Sequence, residues 1–338
     1  MDINQTLSGY SDWCYGIAVG AYVVAMLFYL YEQAFGYRRR TTVRNRELVA
    51  VGAGSESADT EPADTEPADT EPASDAPTDE RPADETVLER NNRAERIGKL
   101  AVSLTVFGVM LHVAALALRG FATHRAPWGN MYEFGAVLCL VAVGTWLVVL
   151  RKYPVRHLGV WVLLPVVVLM FLGGVLLYTT AAPVQPALQS YWLVIHVFTI
   201  ASGSGILLVP GVVSILYLLK VREPRWSTGL AARLPAADVL DRVAYRATVF
   251  AFPIYTAGVI FGAIWAEESW GRFWGWDPKE TVAFVAWVVY AAYLHSRATA
   301  GWRGGRAAVI NIVGMAAMIF NLFFINLVTA GLHSYAGV

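Results

Sequence analysis

Cysteine is almost absent from this chain, and the motifs that depend on it are missing. Cys14 and Cys139 are the only two cysteines, each inside or beside an apolar run, and no CxxC sequence occurs. This excludes a zinc knuckle and a paired-cysteine redox centre. No CxxCH sequence occurs either, so this chain cannot itself carry covalently attached haem.

Charged residues are also scarce. They make up 15% of the 338 residues, whereas 56% of the chain is hydrophobic and the mean hydropathy is +0.47. Soluble domains contain about 25% charged residues, so this composition indicates a chain embedded in a lipid bilayer. The formal net charge is zero, and we expect no nucleic-acid partner.

Long apolar runs occupy most of the sequence. A helix needs about 20 predominantly apolar residues to cross a hydrocarbon core of roughly 30 Å. Eight runs meet this need, so the sequence predicts an all-α integral membrane protein with about eight transmembrane helices. The predicted spans are residues 14–35, 97–118, 133–150, 158–178, 191–219, 244–266, 281–299 and 307–328.

Basic residues predict the orientation of these spans in the plasma membrane. Positive charge concentrates on cytoplasmic loops, and three arginines at 38–40 follow the first span. We therefore expect residues 36–96 inside and both termini outside. The first run is long and has no basic residue before it, so we expect a span rather than a cleaved signal peptide. Alternation then leaves few basic residues on the outer side, namely Arg119, Arg125, Arg272 and Lys279.

One segment has a different composition from the rest. Residues 58–72 repeat ADTEP three times, and the stretch 55–89 is acidic, rich in proline and free of aromatic residues. Such a sequence buries too little apolar surface to offset the entropy of ordering. We predict a disordered cytoplasmic linker over 41–95, acting as a spacer or as a docking segment for a partner. It separates a first helix with its basic flank, 1–40, from a seven-helix core, 96–338.

Histidines are the main candidates for metal chemistry. A histidine inside a bilayer is costly and usually faces a cavity, a cofactor or a polar partner. His112 and His295 fall within predicted spans, His196 lies near the outer end of its span, and His333 follows the last span. Taken singly, each of the four is typical of a hydrogen-bonded structural residue. The two that we interpret as loop residues are His124 and His157.

An aromatic stretch, WAEESWGRFWGWDPKE at residues 265–280, falls on the predicted outer side. Tryptophans also form belts where a membrane meets water, and this interpretation stays open. A belt does not require the two glycines or the WDPKE run. Pro278 suits the first turn of a helix, and Asp277 with Glu280 forms a capping-box pattern. The pattern would fix the aromatic loop at the start of a helix.

Outward histidines, flat rings and basic side chains together suit one kind of ligand. Imidazole is a usual axial ligand of haem iron, aromatic faces stack on planar groups, and cations pair with carboxylates. A large, flat, anionic metallocycle uses all three. The candidate contacts on the outer side are His196, His333, Trp265, Trp270, Phe273, Trp274, Trp276, Asp277, Lys279, Arg119 and Arg125.

The same residues carry a resemblance to a known family. The stretch 265–280 resembles the tryptophan-rich WWD signature of the haem-handling proteins of cytochrome c biogenesis, and it is most similar to the CcsA/ResC branch of System II. The resemblance covers roughly residues 97–338, and the two intramembrane histidines distinguish it from the smaller CcmC type. Four further stretches are similar to that branch: RAPWGNMYEF at 125–134, YWLVIHV at 191–197, YLHSR and GWRGGR within 293–306, and GLHSYAG at 331–337.

The resemblance implies a function and a role for each of the four histidines. It implies that His196 and His333 ligate haem b, iron protoporphyrin IX, over the WWD platform. It also implies that His112 and His295 form an intramembrane pair that holds haem on its way outward. Together with a ResB-type membrane subunit, such a protein attaches haem vinyl groups to the thiols of CxxCH in apocytochrome c. The implied activity is that of a holocytochrome c synthase with an extracytoplasmic active site. We identify no general acid, base or nucleophile.

The intramembrane pair fits less well, and two other classes of protein remain open. With a rise of about 1.5 Å per residue, the predicted spans place His112 and His295 roughly 13 Å apart in depth, too far for one iron.

A b-type electron-transfer cytochrome would need facing histidines at matching depth, often two on one helix, and no predicted span carries two. A transporter that exports haem or another anionic solute without ligation chemistry is the alternative function.

Overall fold

The computed structural model describes residues 3–36, 81–183, 189–223, 228–329 and 331–333, and within these ranges it contains helices and no strand. A 3-10 turn spans Arg156–Leu158, and a π-helical turn spans Asn321–Ile325. The helices are α1 (Gln5–Phe35), α2 (Arg81–Thr123), α3 (Met131–Lys152), α4 (Gly159–Leu176), α5 (Tyr191–Arg222), α6 (Thr228–Arg233), α7 (Ala237–Trp270), α8 (Pro278–Ala298), α9 (Gly305–Phe320) and α10 (Asn326–Val328).

Seven helical segments in the described ranges are long and apolar enough to cross a membrane. The eighth predicted span, residues 281–299, is present as α8 but is not among the seven. Ionisable residues lie in the first and last turns of α8 and shorten its apolar part. The prediction of an all-helical, multi-pass membrane protein is therefore confirmed over the described residues. Eight crossings and the orientation of the termini stay predictions.

The predicted linker, 41–95, falls only partly within the described residues. Its portion up to residue 80, which includes the ADTEP repeats, lies outside them. From Arg81 onward the chain is helical, so α2 begins well before the predicted start of the second span at 97. An established helix extends at the cost of one ordered residue per added hydrogen bond, and Glu95 pairs with Lys99 one turn later at 3.1 Å. Helix propagation and this ion pair favour extension of α2 beyond its apolar part.

The first two helices form an antiparallel pair that packs on the remaining bundle. Asn4 N donates to the carbonyl oxygen of Ala122 at 3.1 Å, which places the start of α1 beside the end of α2. Tyr15 Oη donates to the carbonyl oxygen of Met170 in α4 at 2.8 Å. The α1–α2 pair is thereby fixed to the side of the bundle formed by α4.

Close packing between α5 and α7 depends on small residues. A Cβ atom added to Gly258 of α7 would lie 2.9 Å from the Cα of Ile200 in α5. One turn further along α7, a Cβ at Gly262 would lie 2.6 Å from Cε1 of His196. Small residues four positions apart let two membrane helices approach closely. Here the approach seats the His196 imidazole directly against the backbone of α7.

Several helix ends meet at one end of the bundle. Helices α3, α5 and α8 begin there, α7 ends there, and the π-helical turn follows α9 to the same level. Alternating crossings would bring these ends to one side of a membrane, which is the side that the basic residues predict as the outside. The candidate site lies among these ends.

Candidate functional site

A cavity opens where these helix ends converge. With its mouth included, it contains about 1160 Å³ of space not occupied by atoms, part of which is open solvent. Most of the lining is apolar or aromatic. The predicted contact residues that line it are His196, His333, Trp265, Phe273, Trp274 and Lys279.

The imidazole of His196 is held by the backbone of α7. Its Nδ1 lies 2.8 Å from the carbonyl oxygen of Gly258, so the geometry assigns the ring proton to Nδ1. The other nitrogen, Nε2, then keeps the lone pair that can bind a metal. The ring is stacked with the indole of Trp265, with centroids 6.0 Å apart and an angle of 9° between planes. His196 therefore has the tautomer and the fixed orientation that a metal ligand needs.

His333 is held in a similar way by a carboxylate. Its Nδ1 lies 2.9 Å from Oδ1 of Asp277, and the backbone N–H of Leu332 donates to Oδ2 of the same carboxylate at 2.7 Å. Histidines that bind metals usually donate their second ring N–H to a carboxylate or carbonyl group. Asp277 was predicted as a cofactor contact. The structure instead places it behind His333, where it fixes the tautomer of the imidazole.

Asp277 also begins helix α8. Its side chain accepts from Lys279 N at 3.1 Å, while Glu280 Oε2 accepts from Asp277 N at 3.2 Å. The predicted capping box is thus confirmed. Burial raises the pKa of Asp277, but the hydrogen bond to His333 and those from the backbone outweigh it, and the pKa falls below its usual value. An ionised Asp277 therefore couples the start of α8 to the position of His333.

Trp265 connects the two histidines. It is 1% exposed, and the centroid of its indole lies 6.0 Å from the His196 ring and 5.9 Å from the His333 ring. Trp270 packs edge-on against Trp265 at 4.7 Å and against His333 at 5.1 Å. The two predicted outer histidines therefore lie around one indole, and both line the same cavity.

The rest of the aromatic stretch divides between the cavity and the surface. Phe273 and Trp274 line the cavity, and Phe273 is 60% exposed. Trp276 is 68% exposed and has a φ of 55°, a left-handed conformation that is rare for a bulky residue. This turn of the backbone directs the Trp276 ring outward while the next residue, Asp277, is buried. Neither Trp270 nor Trp276 is part of the cavity lining.

Two predicted cations have another partner. Arg119 Nε donates to Glu133 Oε1 at 2.9 Å, and Arg125 Nη1 donates to Oε2 at 2.7 Å. Glu133 is fully buried, and a buried carboxylate requires such paired cations. Neither arginine lines the cavity. The prediction of Arg119 and Arg125 as carboxylate-binding residues missed Glu133, although this glutamate stands in the RAPWGNMYEF stretch.

Glu133 also orders one wall of the cavity. Its carboxylate accepts from Gly129 N at 2.8 Å and from Asn130 Nδ2 at 3.2 Å. Both residues line the cavity together with Trp128, whose ring packs against Phe198 at 5.5 Å. The arginines therefore contribute to the site indirectly, through the loop that precedes α3.

The two predicted intramembrane histidines have different surroundings. His112 is fully buried, and its Nδ1 lies 3.4 Å from Tyr22 Oη of α1. His295 lies near the end of α8 and is exposed. Neither residue lines the cavity. The structure thus separates an enclosed histidine beside α1 from a surface histidine on α8.

The cavity offers a small set of metal-binding side chains. Among the described residues, no group of three or more His, Cys, Asp or Glu side chains is placed to hold a metal ion. Two histidines alone are a poor site for a bare cation. Two imidazoles equal in number the axial positions that stay open when four nitrogens of a macrocycle already bind an iron.

Comparisons with known proteins identify relatives of this chain. The family model described as "Cytochrome C assembly protein" matches residues 128–333, which include the whole cavity lining. The chain is 30% identical to the cytochrome c biogenesis protein CcsA of Mesostigma viride over 277 residues, covering 74% of this chain and 89% of that protein. It is 33% identical to CcsA of Parasynechococcus marenigrum (strain WH8102) over 263 residues, covering 69% and 85%. With CcsA of Chlamydomonas reinhardtii it shares 40% identity over 155 residues, covering 46% and 43%.

Proposed function

Because this chain belongs to the cytochrome c assembly protein family and is a multi-pass membrane protein of cytochrome c biogenesis, we propose that it brings haem b to the outer side of the membrane. Together with a ResB-type subunit it attaches that haem to the CxxCH motif of apocytochrome c. The relatives are named for biogenesis alone. The haem site, the ligation step and the partner are therefore the content of the proposal.

One observation carries the proposal. His196 and His333 contact the same indole, and each uses its Nδ1 in a hydrogen bond, to Gly258 and Asp277 respectively. Each imidazole is therefore fixed in orientation through its Nδ1. This arrangement supports two axial ligands for one macrocycle.

The remaining walls of the cavity fit the rest of a haem molecule. Trp274 offers a flat apolar surface, which favours a planar ring. Lys279 is the lysine in the lining, and its ammonium suits a propionate through a charge-assisted hydrogen bond. Arg119 and Arg125, bonded to Glu133, fix the wall on the side of α3.

In thioether formation the main task of the protein is to position the reactants. In thioether formation a cysteine S–H adds across a vinyl C=C bond of haem: sulfur bonds to the inner carbon, the proton goes to the terminal carbon, and no oxidant or reductant is consumed. Axial ligation and stacking would hold the vinyl groups towards an incoming cysteine pair. Such fixed orientation can supply several kcal/mol of barrier lowering. The histidine of CxxCH would then replace one axial ligand and release the product.

The resemblance also assigns His112 and His295 to the route of haem through the membrane. Because His112 is enclosed beside α1 and His295 is exposed on α8, we propose that they act at separate points of that route, rather than together on one iron. His295 would then take its second ligand from outside this chain.

The experiment that tests the function measures thioether formation. The chain is purified with its partner subunit and incubated with haem and a CxxCH peptide, and the covalent product is quantified. We expect His196→Ala and His333→Ala to abolish the product, whereas His157→Ala, in the loop between α3 and α4, retains it. Wild-type complex that binds and passes haem without forming a thioether would indicate transport alone and would overturn the ligation step.

A further inference from the structure

A π-helical turn lies at the edge of the cavity. Residues Asn321–Ile325 form it, between α9 and α10. Such turns are rare in proteins overall, but many of them occur at functional sites. The wider turn leaves some carbonyl groups without their usual helical donors. Asn321, Leu322 and Asn326 all line the cavity. Axial ligation by the two histidines does not use any of these residues.

The amide of Asn326 joins the π turn to Lys279. Its Nδ2 donates to the carbonyl oxygens of Leu322 at 2.6 Å and Asn321 at 3.3 Å. Its Oδ1 accepts from Lys279 Nζ at 2.6 Å. Asn321 Nδ2 adds a bond to the Lys279 carbonyl at 3.3 Å. The π turn therefore fixes both the backbone and the ammonium group of Lys279.

The ammonium of Lys279 keeps capacity for an anion. It has three donors, and its contacts are Asn326 Oδ1 and the weak acceptor Met131 Sδ, at 3.6 Å. Within the described residues no carboxylate lies within ion-pair distance of it. Asn326 accepts one bond without cancelling the charge, as an aspartate at the same place would.

One carboxylate, that of Glu280, also lines the cavity. Its Oε2 accepts from Gly275 N at 2.9 Å and Asp277 N at 3.2 Å, and Arg272 Nη1 lies 3.9 Å away. These donors offset its negative charge. Lys279 is therefore the group in the lining that an external carboxylate would approach.

We propose that Asn326 is a positioning residue: through the π turn it holds Lys279 as a subsite for one carboxylate, so that the cavity selects tetrapyrroles with free propionates. This inference rests on the proposed function, since the macrocycle must first be a ligand of the cavity. It assigns selectivity to the π turn, whereas the histidines bind the iron.

The experiment compares haem with its dimethyl ester, in which both propionates are neutral. The complex of chain and partner subunit is titrated with each compound, and the dissociation constants are read from the Soret band. Loss of one hydrogen bond to a charged group weakens binding about tenfold to a hundredfold. We expect the wild-type complex to prefer haem over the ester by at least about tenfold.

Variants separate the subsite from general effects on folding. Lys279→Met should bring the ratio of the dissociation constants for the ester and for haem close to one. Asn326→Asp, which pairs with the lysine, and Asn326→Ser, which leaves it unanchored, should both lower the preference. The matched control is Asn311→Ser, because Asn311 is buried in α9, bonds to Thr248 and does not line the cavity. This control should keep the wild-type preference.

The outcomes distinguish failure of the carboxylate subsite from failure of the proposed function. If the wild-type complex binds haem and the ester equally, the carboxylate subsite is wrong while haem binding stands. A Lys279→Met complex that keeps the wild-type preference also overturns the subsite. Unchanged preference in either Asn326 variant that folds removes the role of Asn326. A complex that binds neither compound refutes the proposed function itself.

Discussion

At the scale of single residues, Asp277 links the start of helix α8 to His333. It caps α8, bonds to Lys279 N, and accepts from His333 and Leu332. A change at this residue therefore acts on helix stability and on the orientation of His333 together. The two effects can be separated, because asparagine is as good a helix cap as aspartate.

We expect Asp277→Asn to keep the fold and to weaken haem binding. The amide can still cap α8, but it no longer presents a charged acceptor to His333, so the imidazole becomes a poorer ligand. Loss of such a carboxylate behind a metal-binding histidine typically costs about 10–100-fold in affinity. Haem titration checks the effect, with thermal unfolding as a measure of the fold. Unchanged affinity in Asp277→Asn would show that the carboxylate does not support ligation.

Some side-chain contacts of the site can be predicted from the sequence, and others cannot. The convergence of His196, His333 and Trp265 follows from spans, alternation and the position of the aromatic stretch. The bonds from both arginines to Glu133 do not follow, because nothing in a linear sequence indicates that a glutamate at a helix start will be fully buried. Only the folded loop before α3 brings Arg119 and Arg125 to one carboxylate.

At the scale of helices, the site depends on how closely α5 and α7 approach. Gly258 provides the acceptor for His196 Nδ1, and Gly262 provides the space for the ring. A bulkier residue in either place would separate the two helices or displace the imidazole. The orientation of the His196 imidazole is therefore a consequence of helix packing.

We expect Gly262→Ala to reduce haem binding strongly. The new methyl group would lie 2.6 Å from His196 Cε1, so the imidazole must move away from its hydrogen bond to Gly258. Gly144→Ala in α3 is the matched control, because a Cβ there meets nothing within 4 Å. The haem spectrum of each purified variant checks the prediction. Equal haem content in the two variants would contradict it.

Helix features differ in how well the sequence predicts them. The capping box of α8 is local, since Asp277 and Glu280 lie three residues apart, and it was predicted. The π turn was not predicted, because it depends on Asn326 bonding to carbonyl groups of the preceding turn. The early start of α2 was also not predicted, since hydropathy marks the apolar part of a helix and not its polar extension.

At the scale of the whole molecule, orientation decides on which side of the membrane the cavity opens. Basic residues predict the cavity end outside, and the ends of α3, α5, α7 and α8 meet at that one end. The alternation of spans therefore agrees with the site. Hydropathy and charge predict this architecture because a bilayer imposes both on every crossing.

Labelling of single cysteines tests this orientation. In a background without Cys14 and Cys139, we expect Phe273→Cys to react with a membrane-impermeant maleimide in intact cells. Trp302→Cys, between α8 and α9, should react only after permeabilisation. Both side chains are exposed, at 60% and 47%, so access depends on the side of the membrane. The reverse pattern would place the cavity in the cytoplasm and contradict the proposed function.

The most direct test of the central claim is the coordination of the iron. We predict that the wild-type complex gives the optical and electron paramagnetic resonance spectra of six-coordinate, low-spin haem with two imidazoles. His196→Gly and His333→Gly should each lose this signature, and added imidazole should restore it in both. If either variant keeps the wild-type spectrum without imidazole, the two histidines do not bind the same iron and the account is wrong.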